Sequence, residues 1–225
     1  MLKIAHRGAA GYEPENTMAA FRKAVVMKAD GIELDVLLSA DGQLVVFHDD
    51  TLERMTNGIG NVSDFALAEL KQFLIEGQHR IPTLVEVLEE VRQHCFVNIE
   101  LKSAEATEPL VRLIEEMVAK NVISFESIIV SSFDWNSLQK IHQVQPAILL
   151  GVLTETDLEE ALAFAKQIKA YSIHPNYNLL NAENTKAIQE NGILVFPWTV
   201  NEPQDIKELK SYNVNGIITD FTDRI

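Results

Sequence analysis

Eight short apolar runs, rich in β-branched residues, recur along this chain with longer stretches of helical period between them, and that alternation restricts the fold more than any other feature. The runs are Leu2–Ala5, Gly31–Leu37, Phe96–Leu101, Ser127–Ser131, Ala147–Leu153, Ala170–Ile173, Ile193–Pro197 and Gly216–Thr219. Several are almost continuously hydrophobic, as strands are when both faces of a parallel sheet are covered. Parallel strands need crossovers, and helices supply them. An α/β chain is therefore predicted. Eight repeats favour closure into a (β/α)8 TIM barrel, and a doubly wound open sheet is the runner-up.

The helical segments start at residues suited to capping. Asn16-Thr17 caps a helix to about Lys28, Thr83 opens Leu84–His94, and Asp134 opens one to about Val144. Asp157 starts another to about Ile168, Asn181 or Ala182 a further one to Glu190, and Pro203 suits the first turn of the last, which ends near Tyr212. One interval is twice the usual length, between Leu37 and Phe96. Within it Ser39-Ala40-Asp41-Gly42 reads as a hairpin turn into an extra strand, Gln43–Phe47, followed by a mixed stretch, Asp50–Glu76, with a short helical run at Asp64–Phe73. The expectation is one domain over residues 1–225, with an insertion at about 50–76 covering the barrel mouth and too short for a core of its own.

A net charge of −14 repels polyphosphates, so nucleic acid is excluded as a general partner, and stable docking on anionic membranes with it. A phosphate on this protein must be held locally, by a few cations or a metal. The single cysteine, Cys95, forms no internal disulfide, no secretory leader is visible, and no apolar run approaches the roughly 20 residues of a membrane span; a cytoplasmic location is expected.

The polar residues that interrupt the apolar pattern cluster where strands end. His6-Arg7 follows the first, Glu33 and Asp35 lie in the second, Glu100 and Lys102 close the third, and Trp198 follows the seventh. In a barrel, active sites are assembled from the C-terminal ends of different strands. A spacing of two puts Glu33 and Asp35 on one face of their strand, and Glu100 and Lys102 on one face of theirs. Neighbouring carboxylates resist burial unless a cation compensates them. Glu33, Asp35 and Glu100 would form an all-oxygen site for one hard divalent cation, Mg2+ or Ca2+, with Mn2+ also compatible; exposed edge charges are the plainer reading of Glu33 and Asp35. His6, and His48 at the end of the extra strand, can divide acid and base duty around a phosphorus centre, while Arg7 and Lys102 suit a phosphodiester anion. Glu15 and Asn16 offer polar contacts or simply cap a helix. Trp198 can wall a small substrate or meet a quaternary ammonium. Ser131, His174 and Asp220 close further strands with no spacing signal of their own.

In order and spacing, His6-Arg7-Gly8, Pro14-Glu15-Asn16-Thr17, Gly31-Ile32-Glu33-Leu34-Asp35-Val36 and Val46-Phe47-His48-Asp49 resemble the glycerophosphodiester phosphodiesterases. Asn98-Ile99-Glu100-Leu101-Lys102, Pro197-Trp198-Thr199-Val200-Asn201 and Gly216-Ile217-Ile218-Thr219-Asp220 extend the resemblance over essentially the whole chain. It implies a (β/α)8 barrel with a small insertion after the second strand, His6 and His48 as the acid/base pair, and Glu33, Asp35 and Glu100 as metal ligands. It further implies Arg7 and Lys102 as phosphate or glycerol contacts and Glu15 as an additional polar site residue. The activity it implies is metal-dependent hydrolysis of a small glycerophosphodiester to glycerol 3-phosphate and an alcohol. A lyase-type phospholipase that releases cyclic phosphate and a non-catalytic glycerophosphodiester-binding protein are the alternatives. Oligomeric state, head group and the identity of the metal are left open.

Overall fold

A computed structural model describes residues 1–225. The apolar runs become parallel staves: β1 (Leu2–Ala5), β2 (Gly31–Leu38), β6 (Phe96–Leu101), β7 (Ile128–Ser132), β8 (Leu149–Thr154), β9 (Ser172–Pro175), β10 (Leu194–Val195) and β11 (Gly216–Thr219). Their order is β10-β9-β8-β7-β6-β2-β1-β11. The remaining seam, β10 to β11, is closed by single backbone bonds: Asn215 N–H to Val195 O at 3.2 Å, Ile218 N–H to Pro197 O at 3.0 Å and Val200 N–H to Ile218 O at 3.0 Å. This is the (β/α)8 barrel expected from the sequence. β10 is shorter than the run Ile193–Pro197, because Pro197 has no N–H for a ladder.

Outside lie α1 (Met18–Val26), α3 (Leu84–Val91), α4 (Thr107–Ala119), α5 (Trp135–Val144), α6 (Leu158–Gln167), α7 (Ala182–Gln189) and α8 (Pro203–Ser211). Thr17, Thr83, Asp134, Asp157 and Asn181 each accept a hydrogen bond from a backbone N–H in the first turn of their helix. The sequence reading has no counterpart for α4, the longest helix. Its cap position is Ala106, with no side-chain acceptor, and a single 3-10 turn at Ala104–Ala106 runs into it. The start signal is missing, although Leu110, Val111, Ile114 and Met117 make a regular buried stripe.

Along each stave every second residue faces the barrel axis. The inward series therefore climbs from apolar to polar: Leu2, Ile4 and His6 on β1, Gly31, Glu33 and Asp35 on β2, Phe96, Asn98, Glu100 and Lys102 on β6. Ile4, Ile129, Phe196 and Ile218 pack into a buried interior cluster, with Leu2, Phe96, Leu149 and Leu194 against it. That layer floors the barrel, so the polar residues can only collect above it, at the C-terminal rim. The larger core, between staves and helices, gathers 43 buried residues and anchors the rim from outside.

Between β2 and α3 the chain makes β3 (Leu44–Val46), antiparallel to β2, then a short helix α2 (Leu67–Leu70) and a small hairpin of β4 (Leu74–Ile75) and β5 (His79–Arg80). This segment packs into a satellite cluster that it shares with β2 and β3. Leu52, Val62, Leu70, Ile75 and Ile81 close over Leu37, Val45 and Phe47, which the barrel side contributes. The added strand and Phe47 supply the apolar area that the segment alone lacks. No helix is long and apolar enough to cross a membrane.

Candidate active site

Glu33, Asp35 and Glu100 meet at the rim because β2 and β6 pair in register, Asp35 opposite Glu100. One carboxylate oxygen from each lies within 4.8 Å of the others. Glu33 and Asp35 are almost completely buried, at 3% and 1% exposure. Burial, and then the adjacent Asp35 charge, push the Glu33 carboxyl up to about 8. The same two causes raise Glu100. Asp35 Oδ2 accepts from Asn16 Nδ2 at 2.8 Å, whereas the buried Oδ1 has no hydrogen-bond partner. A buried carboxylate oxygen without a donor, beside two acids, Glu33 and Glu100, that burial and a neighbouring charge drive toward protonation, is the environment that a hard cation relieves. The residues fit such an ion.

Two cations flank the acids. Lys102 Nζ donates to Glu100 Oε1 at 2.7 Å and stands 3.6 Å from Asp35 Oδ1. Arg7 Nε lies 3.3 Å from Asp35 Oδ2, and the Arg7 backbone N–H donates to Glu33 Oε2 at 2.9 Å. That last bond belongs to the turn after β1, in which Arg7 itself takes a left-handed conformation (φ 52°). Glu15, expected as an additional polar residue of the site, does not line the cavity. Its carboxylate accepts from Arg7 Nη1 at 2.8 Å and from Arg54 at 2.7 and 3.1 Å, and so positions two guanidiniums instead.

Both histidines are oriented by carboxylates. His6 Nδ1 is 2.8 Å from Asp220 Oδ1, and Asp220 is held in turn by Asn201 Nδ2 at 2.6 Å. Asn201 Oδ1 accepts from the Asp220 N–H at 3.0 Å and from Thr219 Oγ1 at 3.1 Å. Burial alone would lower the His6 pKa, but the bond to Asp220 and the charge of Glu33 outweigh it and raise it. His48 Nδ1 is 2.6 Å from Asp49 Oδ1. Arg54, from the insertion, clamps both oxygens of Asp49 and holds that carboxyl down at about 2. With each Nδ1 engaged, Nε2 is the nitrogen available to a substrate, which is the usual division of labour in a carboxylate–histidine pair.

A cavity of about 200 Å³ joins these groups; His6, Arg7, Glu33, His48, Glu100 and Lys102 line it, as does Trp198. Trp198 is fixed by its indole N–H, which donates to His174 O at 2.8 Å, and it meets Phe133 edge to face with centroids 5.6 Å apart. Eight of the nine residues singled out in sequence thus converge around one cavity, with Asp35 beneath it and Glu15 outside. Sequence reasoning passed over Phe133, Glu155, Asn201 and Arg54; nothing in their local spacing marks them. His174 and Ser131 are wholly buried and do not line the cavity. His174 bonds Ser172 at 2.7 Å, and burial drops its pKa to about 3, so its ring is neutral. The ring fits because residue 151 is glycine, where a Cβ would stand 2.6 Å from it.

Similarity to known proteins extends over nearly the whole chain. A model of the glycerophosphoryl diester phosphodiesterase family matches residues 6–224. A glycerophosphodiester phosphodiesterase of Caldanaerobacter subterraneus subsp. tengcongensis is 42% identical, covering 97% of this chain and 93% of its own. One from Bacillus altitudinis is 41% identical over 100% of this chain and 96% of its own. Among solved structures, an Oleispira antarctica phosphodiesterase in complex with the product sn-glycerol-3-phosphate superposes with a TM-score of 0.91 at 28% identity, covering 100% of this chain and 95% of that one. A Thermotoga maritima glycerophosphodiester phosphodiesterase superposes at 0.85 with 31% identity, covering 99% and 96%.

Proposed function

The chain belongs to the glycerophosphoryl diester phosphodiesterase family, and from that premise we propose that it cleaves a small glycerophosphodiester to glycerol 3-phosphate and an alcohol, with His6 and His48 as the acid/base pair and one divalent cation held by Glu33, Asp35 and Glu100. The observation that carries this reading is the joining of three mutually repelling acids, two cations and two carboxylate-oriented imidazoles around a single cavity. The Oleispira relative, bound to sn-glycerol-3-phosphate, supports the choice of product.

Glu33, Asp35 and Glu100 would hold the divalent cation, which would supply Lewis-acid stabilisation of the phosphate charge. Arg7 and Lys102 take the remaining negative charge as it grows on the phosphoryl oxygens. One imidazole removes the proton of the attacking hydroxyl, from water or from the neighbouring glycerol carbon, and the other returns a proton to the leaving alkoxide; after attack by the glycerol hydroxyl, water must then open the resulting cyclic phosphate to give glycerol 3-phosphate. Glu15 acts indirectly, by holding Arg7 against the acids and Arg54 against Asp49.

A coupled assay for glycerol 3-phosphate, with phosphorus NMR of the products, tests the reading. His6→Ala and His48→Ala should each lower turnover by about a hundredfold or more while a calorimetric titration with Mn2+ still shows binding. Glu33→Gln with Asp35→Asn should abolish that binding. Full activity in excess chelator would reject the metal, and near-full activity of either histidine variant would reject its role.

A further inference from the structure

The cavity has two unlike halves. Residues from β1, β2 and β6 and His48 after β3 make the charged half just described. The other half comes from the far side of the rim: Phe133 after β7, Leu153 and Glu155 at the end of β8, and Trp198 after β10. No lysine or arginine lines it. Phe133 and Trp198 meet at an interplanar angle of 87°, so the two rings form a corner and not a flat wall. The indole cannot swing away, because its N–H is bonded to the His174 carbonyl. Phe133 is 45% exposed, a large apolar side chain left open on the lip. Beside this corner stands Glu155, exposed and outside every ion pair of the molecule. The other acids lining the cavity belong to the acid cluster, where Glu33 accepts from the Arg7 N–H and Glu100 from Lys102.

A rigid aromatic corner with an uncompensated carboxylate at its edge has one complementary chemistry, a positively charged group clothed in methyl or methylene. Cations bind the faces of tryptophan and phenylalanine, and most strongly when a counter-charge stands close. A polyol head group would find no comparable set of donors, and an anionic one would meet Glu155 with no cation to oppose it. We propose that Phe133, Trp198 and Glu155 form the subsite for the alcohol portion of the diester and select an ammonium head group, choline before ethanolamine. The inference rests on the hydrolase reading above and names its substrate class. The phosphodiester lies between the two halves: its anion toward Arg7 and Lys102, its head group toward the aromatic corner.

Two measurements separate this proposal from the reading it rests on. Turnover of glycerophosphocholine, glycerophosphoethanolamine and glycerophosphoglycerol is followed through glycerol 3-phosphate. The expected kcat/KM favours glycerophosphocholine over glycerophosphoglycerol by about tenfold or more, and Glu155→Gln or Trp198→Leu should bring that ratio toward unity, chiefly through KM for the choline ester. Equal kcat/KM for the three esters, or a ratio unmoved by both substitutions, overturns the subsite although hydrolysis stands. The second measurement needs no catalysis. In Trp135→Phe, which leaves Trp198 as the sole indole, emission is recorded while glycerophosphocholine is titrated. Saturable quenching that glycerophosphoglycerol fails to reproduce and that Glu155→Gln weakens supports the subsite even in protein that turns nothing over. Identical titrations with both esters, or none, reject it.

Discussion

Asp220 does not line the cavity, yet its replacement should be among the most damaging single changes in this molecule. Its carboxylate fixes His6 at 2.8 Å, and Asn201 fixes the carboxylate. Asp220→Asn keeps the shape, but an amide can present N–H to Nδ1 and so favour the tautomer with the proton on Nε2. Turnover should fall by about a hundredfold, with the thermal midpoint nearly unchanged and Mn2+ binding retained. A variant with normal kcat would show that His6 needs no orienting partner. The residue was hard to find in sequence for the same reason that it matters. Glu33 and Asp35, or Glu100 and Lys102, announce themselves by a spacing of two within an apolar strand, a purely local signal. Asp220 reaches His6 across 214 positions, and only closure of the barrel brings the ends of the chain together. Phe133 and Glu155 are invisible for a related reason: each is an ordinary residue in its own loop, and only their shared cavity gives them meaning.

At the scale of elements, two substitutions should cost comparable stability and differ in function. Thr83 caps α3 with a reciprocal bond to Glu86, so Thr83→Ala should cost about 1 kcal/mol in a urea titration and leave kcat/KM alone, since α3 sits outside the barrel. Gly8 follows His6 and Arg7 in a turn at φ 82°, and a Cβ there would stand 2.7 Å from the Ala20 carbonyl carbon, in the backbone of α1. Gly8→Ala is therefore strained in its own conformation and against a helix that cannot yield locally, at roughly 1–3 kcal/mol. Relief requires the turn to move, and the turn carries His6 and the Arg7 N–H that reaches Glu33. Activity should drop with stability in this variant only. An unaltered kcat/KM in Gly8→Ala would mean that the turn tolerates displacement. Most elements were legible because caps and apolar period coincide at their starts. α4 lacks the cap, and β10 is curtailed by a proline, so in both cases the local signal fails where packing takes over.

For the whole molecule, acid and metal should act on stability in opposite senses. His174, neutral and buried with its pKa near 3 against an ordinary 6.5, lets the unfolded chain bind a proton that the folded one refuses. Between those values stability rises with pH, and the contribution is complete above 6.5. Glu33 works the other way: at about 8 against 4.5, the folded state keeps a proton that the unfolded chain has already released, so stability falls as pH climbs through that interval. Each slope is at most about 1.4 kcal/mol per pH unit. From 4.5 to 6.5 the two oppose each other, and above 6.5 the decline from Glu33 is unopposed, with Glu100 and His6, both raised as well, acting in the same sense. The metal-free protein should therefore be most stable near the middle of this range and weaken toward pH 8. A divalent cation needs the ionised Glu33 and must displace that proton at lower pH. Thermal unfolding with Mg2+, Ca2+ or Mn2+, against chelator, should show a larger gain at pH 8.5 than at pH 6. In Glu33→Gln the alkaline decline of the metal-free protein and the pH dependence of the gain should both shrink. A gain of equal size at the two pH values in the unsubstituted protein would mean that Glu33 carries no proton for the metal to displace, and that the acid cluster is ionised and paid for by Arg7 and Lys102 alone.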